Sequence, residues 1–170
     1  PVERFEKSLD RVTLNWLRIA ENIVAVLIIL FLFLNFGLGI AVVTGDAMSP
    51  TMDTGDIIVY VRWARNAGQG DIVALKMADG EFFVRRVVAE GEQWVKLEEG
   101  RILVNGQEES YIPAGVKTEQ LSDDVTFPLK VPQGRLFVLG DNRAVSMDSR
   151  TCGVVSKSMI IGKVIFTCDR

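Results

Sequence analysis

The strongest constraint in this chain is a run of 21 residues without a charge, Ile23 to Val43, in and around which only Asn35 and Thr44 interrupt the apolar character. As a helix it spans roughly 30 Å, the thickness of a bilayer's hydrocarbon core. A buried helix of a soluble domain seldom runs so far without a charge. The apolar part of a cleaved signal peptide is shorter, roughly 7–15 residues, although Gly37-Leu38-Gly39 would serve as a small-x-small cleavage site. The expected organisation is therefore an arm over 1–22, a transmembrane helix over 23–43 and one domain over 44–170. That domain is long enough to bury a single hydrophobic core.

Orientation follows from the basic residues at the two ends of the span. Arg4, Lys7, Arg11 and Arg18 precede it, and the first basic residue after it is Arg62. The arm is expected to be cytoplasmic and the large domain outside the cell membrane. Residues Arg4 to Arg18 fit an amphipathic helix on the lipid surface, with Phe5, Val12 and Trp16 as its apolar anchors.

Composition removes several classes of function. With 19 basic and 22 acidic residues, a formal charge of −3 and no basic block, nucleic acid is not an expected partner. The chain has no histidine, which excludes Ser-His and Cys-His enzymes and His-ligated metals. Its two cysteines, Cys152 and Cys168, cannot form a zinc site or a disulfide framework. They could still close one loop outside the membrane; against that, Cys168 ends an apolar strand, where a free cysteine is an ordinary small side chain. No metal and no cofactor is expected, and the sequence carries no signal for an oligomeric state.

Past Thr44 the pattern shifts to short runs near period two, which predicts a mostly β domain, a small barrel or folded sheet. The strands expected are Asp56–Trp63, Asp71–Met77, Phe82–Glu90, Gln93–Leu97, Ile102–Val104, Leu136–Leu139 and Met159–Thr167. Turn pairs such as Asp79-Gly80, Glu99-Gly100 and Asn105-Gly106 separate them, the last favouring a type I′ hairpin. Ser110 to Pro128 is polar and aperiodic and reads as a surface excursion.

Four patches carry more Gly, Asp and Arg than a plain β domain needs: Gly45-Asp46-Ala47-Met48-Ser49-Pro50-Thr51, Gly55-Asp56-Ile57-Ile58-Val59, Val84-Arg85-Arg86-Val87-Val88, and Gly140 to Arg150. Each alone is ordinary turn or strand chemistry. In this order, after a membrane span, they resemble the type I signal peptidases of the small Gram-positive kind, serine peptidases of the S26 family, from about Asn35 to the C-terminus. The resemblance implies a β domain resting on the membrane, a Ser-Lys dyad at its tip, and cleavage of signal peptides after small residues such as alanine. The family nucleophile would stand at Ala47 and the family lysine at Arg85, so both catalytic positions are changed. Alanine has no nucleophile, and arginine keeps its proton in a protein and cannot serve as a general base.

The resemblance also implies roles for the surrounding residues. Ser146 matches the serine that orients the lysine. Arg86, Asp141, Asp148 and Arg150 match ion-paired residues beneath the site, where fold maintenance explains them without catalysis. Met48, Pro50 and Thr51 match residues near the substrate groove, and Phe82 and Phe83 flank it on opposite faces of one strand. The Ala47 backbone N–H still offers an oxyanion-hole donor, since that needs no side chain. A recruited Ser49–Lys76 pair is the alternative dyad. Ser49 would share a side of an extended chain with Ala47, though about 6–7 Å along it.

Two readings follow. One is a membrane-anchored signal-peptidase-like protein without peptidase activity, a binding or assembly factor whose client is a secreted or surface preprotein or a pilin. The other is a working signal peptidase inactivated by substitution at Ala47. A membrane-tethered β scaffold unrelated to the family would require all four motifs to be coincidence.

Overall fold

The structure is a computed structural model. It describes residues 2–77, 80–111 and 116–169, with side chains from residue 15 onward. Two compact units divide the chain, Pro1–Leu38 and Gly39–Arg170.

The first unit is helical. α1 (Val2–Leu32) runs into a π-helical turn, Phe33–Gly37. Within it Asn15–Gly37 is long and apolar enough to cross a membrane, by length and composition. The side chains expected to anchor the arm, Phe5 and Val12, fall outside the described residues; Trp16 is exposed. Asn35 meets its polar need locally: Nδ2 donates to the Phe31 carbonyl at 2.8 Å. A polar side chain that bonds its own helix carries less unsatisfied polarity into apolar surroundings.

The helix expected over 23–43 ends earlier than the apolar run. Residues Leu38–Val42 form strand β1. Gly37 and Gly39 weaken the helix, and the β-branched Ile40, Val42 and Val43 favour extension. Gly39 has a packing reason too: a Cβ there would collide with the Tyr60 ring. Apolar character alone did not separate the last helical turn from the first strand.

The second unit is mostly β, as the sequence pattern predicts. Its strands are β2 (Ile57–Val61), β3 (Ile72–Lys76), β4 (Phe82–Glu90), β5 (Trp94–Glu98), β6 (Arg101–Val104), β7 (Gln107–Glu108), β8 (Leu129–Lys130), β9 (Arg135–Leu139), β10 (Val155–Ser156) and β11 (Ile160–Cys168). One sheet has the order β1-β2-β11-β3-β4-β9-β10 and a smaller one β7-β6-β5-β8. All seven expected strands are present. β1, β7, β8 and β10 were not expected, the last three because a two-residue bridge has no readable period. Asn105 and Gly106 take positive φ, 51° and 83°, as a type I′ hairpin requires. Asp79 lies outside the described residues, as does 112–115 of the polar excursion.

Three apolar clusters fill the unit. Val73, Leu75, Val87, Leu136 and Val138 belong to the first, with Phe83 against it. Val88, Val95, Ile102, Phe137 and Leu139 belong to the second. The third holds Val43, Met48, Met52, Ile58 and Val84, with Phe82 against it. Strand alternation sends Phe82 and Phe83 to opposite sides of β4, and each finds a cluster, so neither is left wholly to solvent. A four-residue helix, α2 (Ser149–Cys152), follows Asp148, whose side chain caps it by accepting from the Arg150 N–H. Cys152 and Cys168 are both exposed and unbonded.

Candidate functional site

Ala47 stands in a series of tight turns between β1 and β2. Ser49 N–H donates to the Asp46 carbonyl at 3.2 Å, and the Thr51 and Met52 N–H groups donate to the Met48 carbonyl at 2.9 and 3.0 Å. The segment is therefore not the extended chain assumed for the Ser49 alternative. The turns carry Pro50 to an exposed position outside the cleft, while Met48 is buried and reaches it from below. Lys76, at the end of β3, is exposed and does not line the cleft either.

The cleft has a volume of about 490 Å³ and lies between residues 43–48 and 81–85, closed at one end by Val145 and Met147. Ala47 and Arg85 both line it, so the two positions that the resemblance assigns to the nucleophile and the base, far apart in sequence, meet at one place. Phe82, Phe83 and Met48 line it as well. One wall is a strand with an open edge. β9 pairs with β4 only over Arg86–Glu90, so Phe82–Arg85 has its strand partner in β3 alone.

Arg85 is 6% exposed. Its guanidinium is held by main-chain carbonyls: Nε and Nη2 donate to Met147 O at 2.9 and 2.7 Å, and Nη1 donates to Val84 O at 2.6 Å. Its Cζ lies 4.9 Å from the centre of the Phe83 ring, a cation–π distance. Burial pushes its pKa below the ordinary arginine value, an effect that Asp148 opposes. It remains a cation, because a guanidinium does not lose its proton in a protein.

Ser146 is 2% exposed, and among the described residues its Oγ has no hydrogen-bond partner. The guanidinium extends to the carbonyl of the next residue, Met147, and does not bond this hydroxyl. Gly140 explains how the pieces pack. A Cβ at Gly140 would collide with Ser146 Oγ and with the Ala47 carbonyl, so only glycine lets this loop lie against both. The Ala47 carbonyl accepts from the Asn142 N–H at 3.0 Å, which ties the first and last motifs together.

Beneath the cleft, carboxylates meet the remaining arginines of the motifs. Arg86 Nε donates to Asp141 Oδ1 at 2.8 Å and Nη2 to Oδ2 at 2.5 Å. Asp141 Oδ2 also accepts from Thr51 Oγ1 at 2.6 Å. The bonds to Asp141 hold the Arg86 pKa above its usual value. Arg150 is fully buried and forks onto Asp148, at 2.9 Å to Oδ1 and 2.8 Å to Oδ2. Sequence reasoning gave Thr51 to the groove, whereas here its hydroxyl bonds Asp141.

A third buried pair was missed. Arg143 donates to Glu109 Oε1 at 2.5 Å and Oε2 at 2.8 Å, and to Thr118 Oγ1 at 2.7 Å. Arg143 lay inside a quoted motif, but Glu109 borders the polar excursion and Thr118 lies within it, where nothing local signals burial. Thr44, Glu81, Val145 and Met147 were likewise not foreseen at the cleft.

The chemistry available is limited. Among the residues lining the cleft, Thr44 is the sole hydroxyl and no lysine is present. Among the described residues, no cluster of His, Cys, Asp and Glu could hold a metal ion.

Comparisons agree on descent. A family model described as signal peptidase, peptidase S26, matches residues 16–168. Signal peptidase I S of Bacillus subtilis (strain 168) is 33% identical over 167 residues, covering 91% of this chain and 88% of its own. Signal peptidase IB of Staphylococcus aureus (strain Mu50 / ATCC 700699) is 30% identical over 163 residues, 85% of each. The crystal structure of a signal peptidase I from Enterococcus faecalis V583 superposes with a TM-score of 0.50 at 26% identity, covering 61% of this chain and 99% of that one. The chain belongs to the signal peptidase family, peptidase S26.

Proposed function

We propose that this chain is a membrane-anchored signal-peptidase-like protein that binds client polypeptides in the family's groove without cutting them. The observation that carries this reading is the pairing in one cleft of Ala47 at the nucleophile position with Arg85 at the base position. One residue lacks a nucleophile and the other cannot accept a proton. Binding needs neither. The open β4 edge over Phe82–Arg85 suits an extended client added as a strand, with main-chain hydrogen bonds for affinity and pockets for alternate side chains. The client on this reading is a secreted or surface preprotein, a pilin being one candidate.

The helix at Asn15–Gly37 is the anchor, with the arm cytoplasmic and the β domain outside. The outer face of the sheet supports lipid contact: Ile40, Val42, Ile57 and Phe166 are all exposed. A single-pass protein of this orientation leaves its domain open to protease added to intact cells while the arm is spared. Protection of the C-terminus would overturn it.

The test of groove binding is obstruction. Ala47→Trp should fill the cleft, abolish client binding and leave the domain folded by circular dichroism. Undiminished binding by a folded Ala47→Trp protein would place the client elsewhere. The second reading, a signal peptidase disabled at Ala47, is favoured by the unpartnered Ser146 hydroxyl, which a lysine at position 85 would engage. On that reading Ala47→Ser with Arg85→Lys regains cleavage of a preprotein, whereas on ours it recovers a trace at most.

A further inference from the structure

The buried cation in the cleft differs from the other buried arginines in what it lacks. Arg143 and Arg150 each grip a carboxylate with two nitrogens. Arg85 is bonded only to carbonyl oxygens, those of Val84 and Met147. These bonds use one hydrogen on each of its three nitrogens, so one N–H remains on each terminal nitrogen to donate to a further acceptor. Asp148, the carboxylate that bears on its charge, is already engaged by Arg150 and by the Gly140 N–H. A cation so placed in a cleft, without an anion of its own, is set to receive one.

The cleft adds two further features. Ala47 lines it, and among the described residues its N–H has no acceptor. The negative groups there, Asp46 and Glu81, are exposed, and Asp46 already accepts from Thr54. Their repulsion is screened by water and salt in a way that the pull of buried Arg85 is not.

Resting on the groove-binding reading above, we infer that the cleft is a receptor for the free C-terminal carboxylate of a peptide, held by the remaining N–H groups of Arg85 with the Ala47 N–H as a second donor. Such a carboxylate is the new end that hydrolysis of a preprotein after a small residue creates. The ligand is then the product of an endopeptidase reaction performed by another protein, and the place once used to make that end is used to hold it.

The experiment compares three fluorescein-labelled peptides by anisotropy against the full chain in detergent. One carries an apolar stretch ending in alanine-glutamine-alanine with a free carboxylate. The second is its C-terminal amide, and the third continues the same sequence for several residues. The free acid should bind about tenfold more tightly than the amide and the extended peptide, a charged hydrogen-bonded pair being worth about that much. Raising salt should leave most of that preference in place, since a buried pair is screened much less than an exposed one. In Arg85→Met, checked for folding by circular dichroism, acid and amide should bind within about twofold of each other. Equal binding of acid and amide by the unaltered protein, or a preference for the extended peptide, would overturn carboxylate recognition while leaving groove binding in place. No saturable binding of any of the three would overturn both. The comparison of peptides needs no variant, so a misfolded Arg85→Met protein would not rescue the idea.

Discussion

The layer of ion pairs and the cleft above it are built from the same residue types in the same motifs, yet they are finished to different standards. In the lower layer Arg86, Arg143 and Arg150 each meet a carboxylate in a two-pronged bond, and Asp148 and Asp141 accept additional donors. In the cleft Arg85 has carbonyls but no carboxylate and Ala47 offers no side-chain chemistry, and beside it buried Ser146 has no partner among the described residues. A frame whose polar groups are satisfied keeps a fold. Unsatisfied groups in a cleft mark the place where something was removed or where something is to be bound. On the reading proposed here structure and catalysis have come apart in this chain: the first is kept and the second is not.

That contrast can be broken by mutation, and the effects should differ in size and even in sign. The largest loss is expected on the frame side. Arg150→Met strips Asp148 of its partner where both side chains are fully buried, and should cost about 3–5 kcal/mol in denaturant unfolding. A loss under about 1 kcal/mol would mean that the frame is ornamental. Gly140→Ala pushes a methyl group against Ser146 and the Ala47 carbonyl and should cost about 1–3 kcal/mol.

On the cleft side the expected changes are smaller. Ser146→Ala removes a buried hydroxyl without a partner, so the protein should gain about 1 kcal/mol where most buried substitutions lose. A loss there would reveal a hydrogen bond that the described residues do not show. Arg85→Met, which exchanges a buried charge without a carboxylate for an apolar chain of similar reach, should change stability by about 1 kcal/mol or less in either direction. A large loss at Arg85 would put it in the frame and erase the distinction.

Much of this was legible in the sequence because it depends on short patterns. Period-two runs found seven of the strands, and Asn105-Gly106 found its hairpin. The order of the motifs alone brings Ala47, Arg85, Ser146 and Gly140 into view. What escaped depends on distance along the chain. Glu109 looks like any surface acid until Arg143 arrives from 34 residues later. Strand β1 was hidden because membrane helix and buried strand are both continuous apolar runs, and only Gly37 and Gly39 mark the change. Pro50 and Ser49 were misplaced since an extended chain was assumed where the backbone bonds of Asp46 and Met48 make turns. The open edge of β4 belongs to the sheet's register, which no single segment specifies.

The central claim is that the chain binds in the old active cleft and does not cut. The most direct measurement incubates the purified full chain with a preprotein bearing a small-residue cleavage site. Over the same time course it records complex formation by anisotropy and peptide mass by mass spectrometry. The account predicts saturable binding, lost in Ala47→Trp, with the preprotein recovered at its full mass. Cleavage above background that survives Ser49→Ala would contradict it, because a nucleophile and a base would then be at work in a cleft where Ala47 and Arg85 can supply neither.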